Sequence, residues 1–370
     1  MAEILFVTWD GGGNVPPALQ IAGELRRRGH QTRFLGHRAQ RGPVTAEGHG
    51  FTAYAEAEDF DGSRPTSMAQ SIRVFSDRGM GRDLLEEVRR RPADLVVVDA
   101  LLIAALDAAR RSGLHYVPLQ HLFDSYQRGG WLHGPVGAWG RVRGLHPKAA
   151  WDEAPLNIAA TLPGLDPGAA AAPANLRFVG PAVDEPVARA DFAEPAVLIS
   201  LSTIHYPGMR RTLQRLVDAA AGLGVRVVVT TGHAIDPAEI VAPADVEVHR
   251  YVRHGELMPQ LSLVVGHGGH GTAMRALAHD LPVLVVPLHP LLDHPAVGRA
   301  VRDAGAGTTV GRHSPTARFR AAMAQLLDDG DHRRAAASLG ARIREAQAAT
   351  TAASLLESTL TRPTPAAPRS

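Results

Sequence analysis

The sequence predicts an α/β protein made of two doubly wound parallel-sheet domains. Three observations carry this. Short β-branched apolar runs alternate with helix-period patterns along most of the chain, as parallel strands joined by right-handed crossovers do. That alternation runs twice, in two separate series. At 370 residues the chain is also long enough for two domains of ordinary size.

The elements follow in order. Ile4–Thr8 reads as the first strand, Trp9–Val15 as a loop, and the next stretch as a helix to about Arg28. Pro16 and Pro17 fit only the first turn of that helix, Ala18, Ala22 and Leu25 form its apolar stripe, and Gly29 ends it. Thr32–Leu35, Leu95–Asp99 and Tyr116–Leu119 are further strands. From about Phe123 to Ala174 the chain is rich in Gly, Pro and Ala and collects Tyr126, Trp131, Trp139 and Trp151, against 5% aromatics overall. Such a segment is expected to be irregular, and functional or mobile. After Phe178-Val179-Gly180-Pro181 a second series begins, with strands at Ala196–Leu201, Arg226–Thr230, Val246–His249, Leu263–Gly266 and Val283–Pro287. The expected division is an N-terminal domain over residues 1–180, a linker over 181–194, and a C-terminal domain over 195–360 that includes a helical segment at Thr316–Thr359. A Pro/Ala-rich tail over 361–370 is expected to be disordered.

Composition narrows the function. Hydrophobic residues make up 45% and charged residues 21%, as in a packed soluble protein, and the formal charge is only +2. No block of five basic residues occurs, so no nucleic-acid partner is expected. The absence of cysteine excludes disulfides, thiolate metal sites and a cysteine nucleophile. No apolar run is long enough to span a membrane and no signal peptide is visible, so a cytoplasmic location without membrane partners is expected.

The chemistry concentrates at Val264-Val265-Gly266-His267-Gly268-Gly269-His270-Gly271-Thr272, where an apolar run ends in a glycine-rich turn that opens a helix. A helix start presents unpaired N–H groups and a positive dipole end, which suits a phosphate, and glycines let the backbone approach it. The spacing matches G-x-G-x-x-G, but it lies deep in the second series, and Pro287 rather than an acidic residue ends the next strand, which argues against NAD.

These residues, with Arg275-Ala276-Leu277, Leu281-Pro282, Pro287 and Asp293-His294, resemble the donor-binding signature of family 1 glycosyltransferases, in the bacterial subset that decorates antibiotics and other natural products. Gly13-Asn14-Val15-x-Pro17 with Arg28-Gly29-His30 resembles that family's N-terminal motif, and Tyr251-Val252-Arg253-His254 with Leu257 resembles the segment that packs on the nucleotide base. The resemblance implies a GT-B fold, two Rossmann-like domains facing across a cleft, with the donor on the C-terminal one and the acceptor on the N-terminal one. It implies a donor diphosphate on His267, Gly268, Gly269, His270, Gly271 and Thr272, with hydroxyls of Ser202 and Thr203 added from the facing loop. Thr231, Gly232, Val252, Arg253 and His254 would serve the base and ribose, and Asp293 and His294 the sugar. Trp9, Phe75, Phe123 and Trp131 would line the acceptor pocket.

Two departures stand out. The family usually has Gln after its acidic residue, where this chain has His294, and five residues separate Pro287 from Asp293, more than is usual. The family's general base is a His, or in some members an Asp, at the place held here by Asn14, whose amide has no useful basicity. Asp99 matches the carboxylate that orients the usual histidine. Asp10, Asp99 and His121 are then the candidate bases, unless the acceptor is an activated carbon, a nitrogen or a phenolate that needs none.

Each residue also has a plainer reading. Asn14 can cap the helix at Pro16, Asp99 can bind loop N–H groups, His121 can be a packed loop histidine, and the tryptophans can be core. His267, His270, His289 and His294 with Asp293 suggest a metal, but a glycine loop does not hold ligands rigidly, so neither metal nor other cofactor is expected. The expectation is an inverting hexosyltransferase moving a sugar from a dTDP- or UDP-sugar to a small aglycone, with C- or N-glycosylation weighted by Asn14, and with room for a homodimer. A non-catalytic GT-B partner protein and a nucleotide-sugar epimerase are the alternatives.

Overall fold

The computed structural model describes residues 1–62, 64, 68–183, 195–328 and 330–361. The expected linker beyond Val183 and the expected tail beyond Thr361 lie outside the described residues. Two compact units emerge. The first holds Met1–Asp61, Thr66–Ala182 and the chain from Gln347 onward, and the second holds Gly62–Pro65 and Val183–Ala346.

The first unit is a seven-stranded sheet of β1 (Glu3–Val7), β2 (Gln31–Gly36), β3 (Gly50–Ala53), β4 (Leu95–Asp99), β5 (Tyr116–Gln120), β6 (Asn157–Ala159) and β7 (Leu176–Phe178). Their order is β3-β2-β1-β4-β5-β6-β7, all parallel. Side chains alternate across a strand, so each strand feeds two cores. Ile4 and Phe6 pack on the helix Val15–Arg27 through Ile21, Ala22 and Leu25, while Leu5 and Val7 face Leu84, Leu106 and Trp151. The order reverses between β1 and β4, and this is the switch point where open α/β sheets bind ligands.

The second unit repeats the plan with β8 (Ala196–Ser200), β9 (Arg226–Thr230), β10 (Val246–His249), β11 (Leu263–Gly266), β12 (Val283–Val285) and β13 (Gly307–Thr309), in the order β10-β9-β8-β11-β12-β13. Its switch point lies between β8 and β11, whose register sets Ser200 beside Gly266. This is the α/β class that the sequence predicts.

Two features differ from the reading of the sequence. The aromatic segment after Phe123 is not irregular: it forms helical turns at Asp124–Trp131, Pro135–Val142 and Pro147–Glu153, then β6. Its glycines are packing residues there, since a Cβ at Gly137 would sit 1.8 Å from the Leu132 carbonyl oxygen and one at Gly140 2.5 Å from Ile103. The helix Ala348–Leu360, read as part of the second domain, packs instead on the first unit. Gln347, at φ 43° and ψ 54°, separates it from the helix Gly330–Ala346. Ala348, Ala352, Ala353 and Leu356 form its inner stripe against Ala18, Ile21, Ala22 and Leu25. Arg28 and His30 secure its rim. The Arg28 guanidinium donates to Glu357 Oε2 (2.7 Å), Ser354 Oγ (2.9 Å) and the Thr350 carbonyl (3.0 Å), and His30 Nε2 lies 2.9 Å from Glu357 Oε1.

Leu356 is fully buried in this seam. Leu356→Ala removes apolar contact and leaves a cavity, so urea unfolding should show a loss of about 3 kcal/mol. Glu357→Gln weakens a rim ion pair and should cost less than about 1 kcal/mol. Equal effects would mean that the charged rim, not the apolar stripe, holds the helix.

Candidate functional site

In the first unit three chain segments meet at the switch point. The loop after β1 brings Asn14, β4 ends in Asp99, and His121 follows β5. Asn14 makes no side-chain cap to the helix Val15–Arg27. Its Nδ2 instead donates to Asp99 Oδ2 (2.9 Å), Thr8 Oγ1 (3.0 Å) and the Trp9 carbonyl (3.0 Å). Three acceptors around one nitrogen fix the amide's orientation, and Oδ1 is left buried with no partner among the described residues. Asp99 Oδ1 accepts from the Leu101 N–H (2.9 Å) and Oδ2 lies 3.5 Å from His121 Nδ1. Burial pushes the His121 imidazole down, and the Asp99 charge opposes the shift. Asn14, Asp99 and His121 share a cavity of about 10 Å³, about the room one water needs. Asp10 stands in the same loop, where its N–H donates to His37 Nδ1 (3.2 Å).

Three of the expected acceptor aromatics, Trp9, Phe75 and Trp131, form a line of ring contacts that continues to Trp151. Trp9 meets Phe75 edge-on with centroids 4.9 Å apart, Phe75 meets Trp131 at 5.9 Å, and Trp131 meets Trp151 at 5.9 Å. Trp9, Phe123 and Trp131 are buried, and Phe75 is half-buried. Trp9, Trp131 and Trp151 belong to one hydrophobic core cluster of the first unit, with Phe75 packed against it, and their buried area there stabilises the fold.

In the second unit the glycine turn has the geometry an anion needs. Gly268 sits at φ 91°, where a Cβ would stand 2.8 Å from the His294 carbonyl oxygen and 2.9 Å from Val285 Cγ1. Only glycine allows this conformation and this approach. Gly269 then caps the helix His270–Ala278 without a side-chain hydrogen bond and without an acidic residue in the first turn. The N–H groups of His270, Gly271 and Thr272 precede the first intrahelical bond, from Ala273 to Gly269. Asp293 reaches the same helix start: its carboxyl accepts from the His270 N–H and from its own N–H. Burial nevertheless pushes Asp293 up to about 7.

The histidines beside the turn are neutral. Burial pushes His267 down to about 4 and His294 well below its usual range. A ring N–H of His267 donates to the Leu201 carbonyl, and its Nδ1 is buried with no partner among the described residues. No group of three or more His, Asp or Glu among the described residues is arranged to hold a metal.

The remaining donor candidates spread along the same sheet edge. Ser202 Oγ accepts from the Ile204 N–H (3.0 Å), so that hydroxyl is engaged in its own loop, while Thr203 is exposed. Gly232, at φ 67°, lets the end of β9 pass this loop, since a Cβ there would lie 3.2 Å from the Ser202 carbonyl oxygen. Thr231 is buried, with its N–H donating to the His249 carbonyl (3.0 Å). Val252 is half-buried and Arg253 is exposed. His254 Nε2 lies 3.3 Å from Ser200 Oγ, which accepts from the Thr230 hydroxyl at 2.7 Å. Sequence reasoning missed Ser200 and Thr230, although a hydroxyl residue closing each of two neighbouring apolar runs was a visible signal. It also missed Tyr206, whose ring lies 5.4 Å from that of His294.

Comparison with known proteins agrees with this fold. Residues 214–366 match the family described as "Erythromycin biosynthesis protein CIII-like, C-terminal domain". The chain is 26% identical to the 4'-demethylrebeccamycin synthase of Lentzea aerocolonigenes, over 91% of this chain and 94% of that one. Among solved structures, the glycosyltransferase of kitacinnamycin superposes with a TM-score of 0.80 at 23% identity, covering 97% of this chain and 99% of that one. The glycosyltransferase VinC in complex with dTDP superposes at 0.72 and 21% identity, covering 98% and 100%. No described helix is long and apolar enough to cross a membrane. The chain is thus similar to antibiotic-pathway glycosyltransferases, has the GT-B fold, and matches the EryCIII-like C-terminal domain over residues 214–366.

Proposed function

We propose that this glycosyltransferase moves a sugar from a dTDP- or UDP-linked donor to a small natural-product aglycone, inverting the anomeric centre without a metal. The observation that carries this reading is the Gly268 turn, which brings a helix start and two neutral imidazoles to the switch point of the second unit. As the bond from the anomeric carbon to the phosphate oxygen breaks, charge develops on the diphosphate. Fixed N–H donors there stabilise it with little reorganisation.

On the acceptor side, Asn14 cannot take a proton. His121, backed by Asp99, is the base for an acceptor hydroxyl, because its imidazole is the titratable group of the water-sized cavity that Asp99 can orient. A nitrogen or activated-carbon nucleophile needs this help least, and Asn14 in the place of the usual histidine favours such acceptors.

A thermal-shift panel with dTDP, UDP, GDP, ADP and NAD tests the donor. A ligand at 100 times its Kd stabilises the fold by about 2.7 kcal/mol, a shift of a few degrees. Selective stabilisation by dTDP or UDP is expected, and a response to NAD alone would overturn the reading.

Asp293 adds a pH dependence. Its carboxyl, up to about 7, loses its proton as pH rises from 6 to 8, placing a negative charge beside the diphosphate site. The affinity for dTDP should therefore fall over this interval more steeply in the wild type than in Asp293→Asn, by a few-fold in calorimetry. The comparison cancels the ionisation of dTDP itself, and parallel slopes would remove Asp293 from the neighbourhood of the anion.

His121→Gln should lower kcat with a hydroxyl acceptor about 10²- to 10⁴-fold and remove the acidic limb of its pH profile. If Asp10→Asn, Asp99→Asn and His121→Gln all keep the wild-type rate, the nucleophile attacks unassisted.

A further inference from the structure

The loop after β8 carries Tyr206, a residue to which the reading above gives no role. Its ring stands edge-on to His294 with centroids 5.4 Å apart, and 6.4 Å from those of both His267 and His289. His267 and His294 meet edge-on at 4.6 Å. The phenol is half-buried. Burial, and then the charge of Asp293, hold the phenol hydroxyl well above its usual range. The adjoining imidazoles have fixed tautomers. His294 Nδ1 accepts from the His289 N–H (3.3 Å) and His289 Nδ1 accepts from the Leu291 N–H (3.2 Å), so each neutral ring carries its proton on Nε2.

The sheet order says which part of a donor meets this wall. Thr231, Gly232 and the segment 252–254 follow β9 and β10, on one side of β8 and β11. His289, Asp293 and His294 follow β12, on the other side. A diphosphate on the β11 turn that sends its nucleoside toward β9 sends its sugar toward β12. Tyr206 leaves from β8 and reaches across to the β12 side. A flat aromatic face, a hydroxyl, a carboxyl and N–H donors make a surface suited to a pyranose ring, with its C–H faces and polar substituents.

We propose that Tyr206 determines donor specificity: its ring, beside His294, is the face on which the transferred sugar lies, and its hydroxyl reads that sugar's polar groups. This rests on the donor-site reading of the preceding subsection.

The test is titration calorimetry of the full chain with dTDP and dTDP-glucose, and with UDP and UDP-glucose, on the wild type, Tyr206→Phe and Tyr206→Ala. Both variants should bind the bare nucleotide within about two-fold of the wild type. The sugar-bearing donor should bind Tyr206→Ala about tenfold more weakly, and Tyr206→Phe about three-fold more weakly, the share of one hydrogen bond. Tyr206→Phe keeps the ring and its packing, so it reports on the hydroxyl even if Tyr206→Ala folds poorly. An equal loss for nucleotide and sugar-nucleotide in Tyr206→Phe, or no loss for either, would overturn the proposal. A wild type that binds none of the four ligands would overturn the donor-site reading and this inference with it, which separates the two failures.

Discussion

At Gly268 two backbones come as close as a missing Cβ allows, and the working edge of the second unit depends on that approach. A Cβ there would stand 2.8 Å from the His294 carbonyl oxygen. Any side chain would push the turn after β11 away from the loop after β12. With the two in contact, the helix start faces the switch point, Asp293 reaches the His270 N–H, and His294 lies against His267. The turn after β11 and the loop after β12 are therefore one rigid feature rather than two neighbours, and in the function proposed above preorganisation of this kind lets fixed dipoles act on developing charge.

The first unit uses the same sheet plan for different chemistry. Asp99 is its hub, taking N–H donors from Asn14 and Leu101 on its two oxygens, with His121 beside one of them. An amide does not titrate, so the Asn14–Asp99 bond keeps the same sense at every pH at which the carboxylate is ionised. Protonation is left to His121, which burial and Asp99 pull in opposite directions. A histidine at position 14 would itself have titrated against Asp99. Asparagine fixes that partner and frees the carboxylate's remaining influence for a residue on another strand.

The sheets were legible in the sequence where strands are central and buried on both faces. Leu95–Asp99 and Arg226–Thr230 have the boundaries read from their apolar runs. Strands β3, β6, β7 and β13 were missed because Gly-Phe-Thr-Ala, Asn-Ile-Ala, Leu-Arg-Phe and Gly-Thr-Thr contain no run of aliphatic residues, whereas the equally short β11 and β12 are rich in Val and Leu. The glycine turn was legible because its composition has little packing purpose. The sequence left the tryptophans open between core packing and acceptor contact because a core ring and a ligand-facing ring look alike in one dimension, and the contacts that join Trp9, Phe75, Trp131 and Trp151 appear only in three. Asn14 has two readings in the sequence, a cap at the helix start and the place of the family's usual base. Its bond to Asp99 spans 85 positions, beyond the reach of any local rule.

The helix Ala348–Leu360 completes a unit whose other segments lie before residue 183. On the ribosome, the first unit leaves the exit tunnel with the apolar side of Ile21, Ala22 and Leu25 uncovered, and it stays so while the whole second unit is made. The part of the chain synthesised first is thus finished last. Nascent chains carry that sticky surface for more than 160 residues of elongation, tens of seconds at the slow end of about 5–20 residues per second. Chaperone demand and sensitivity to premature termination therefore fall on the N-terminal half, although the residues that relieve them are encoded at the other end.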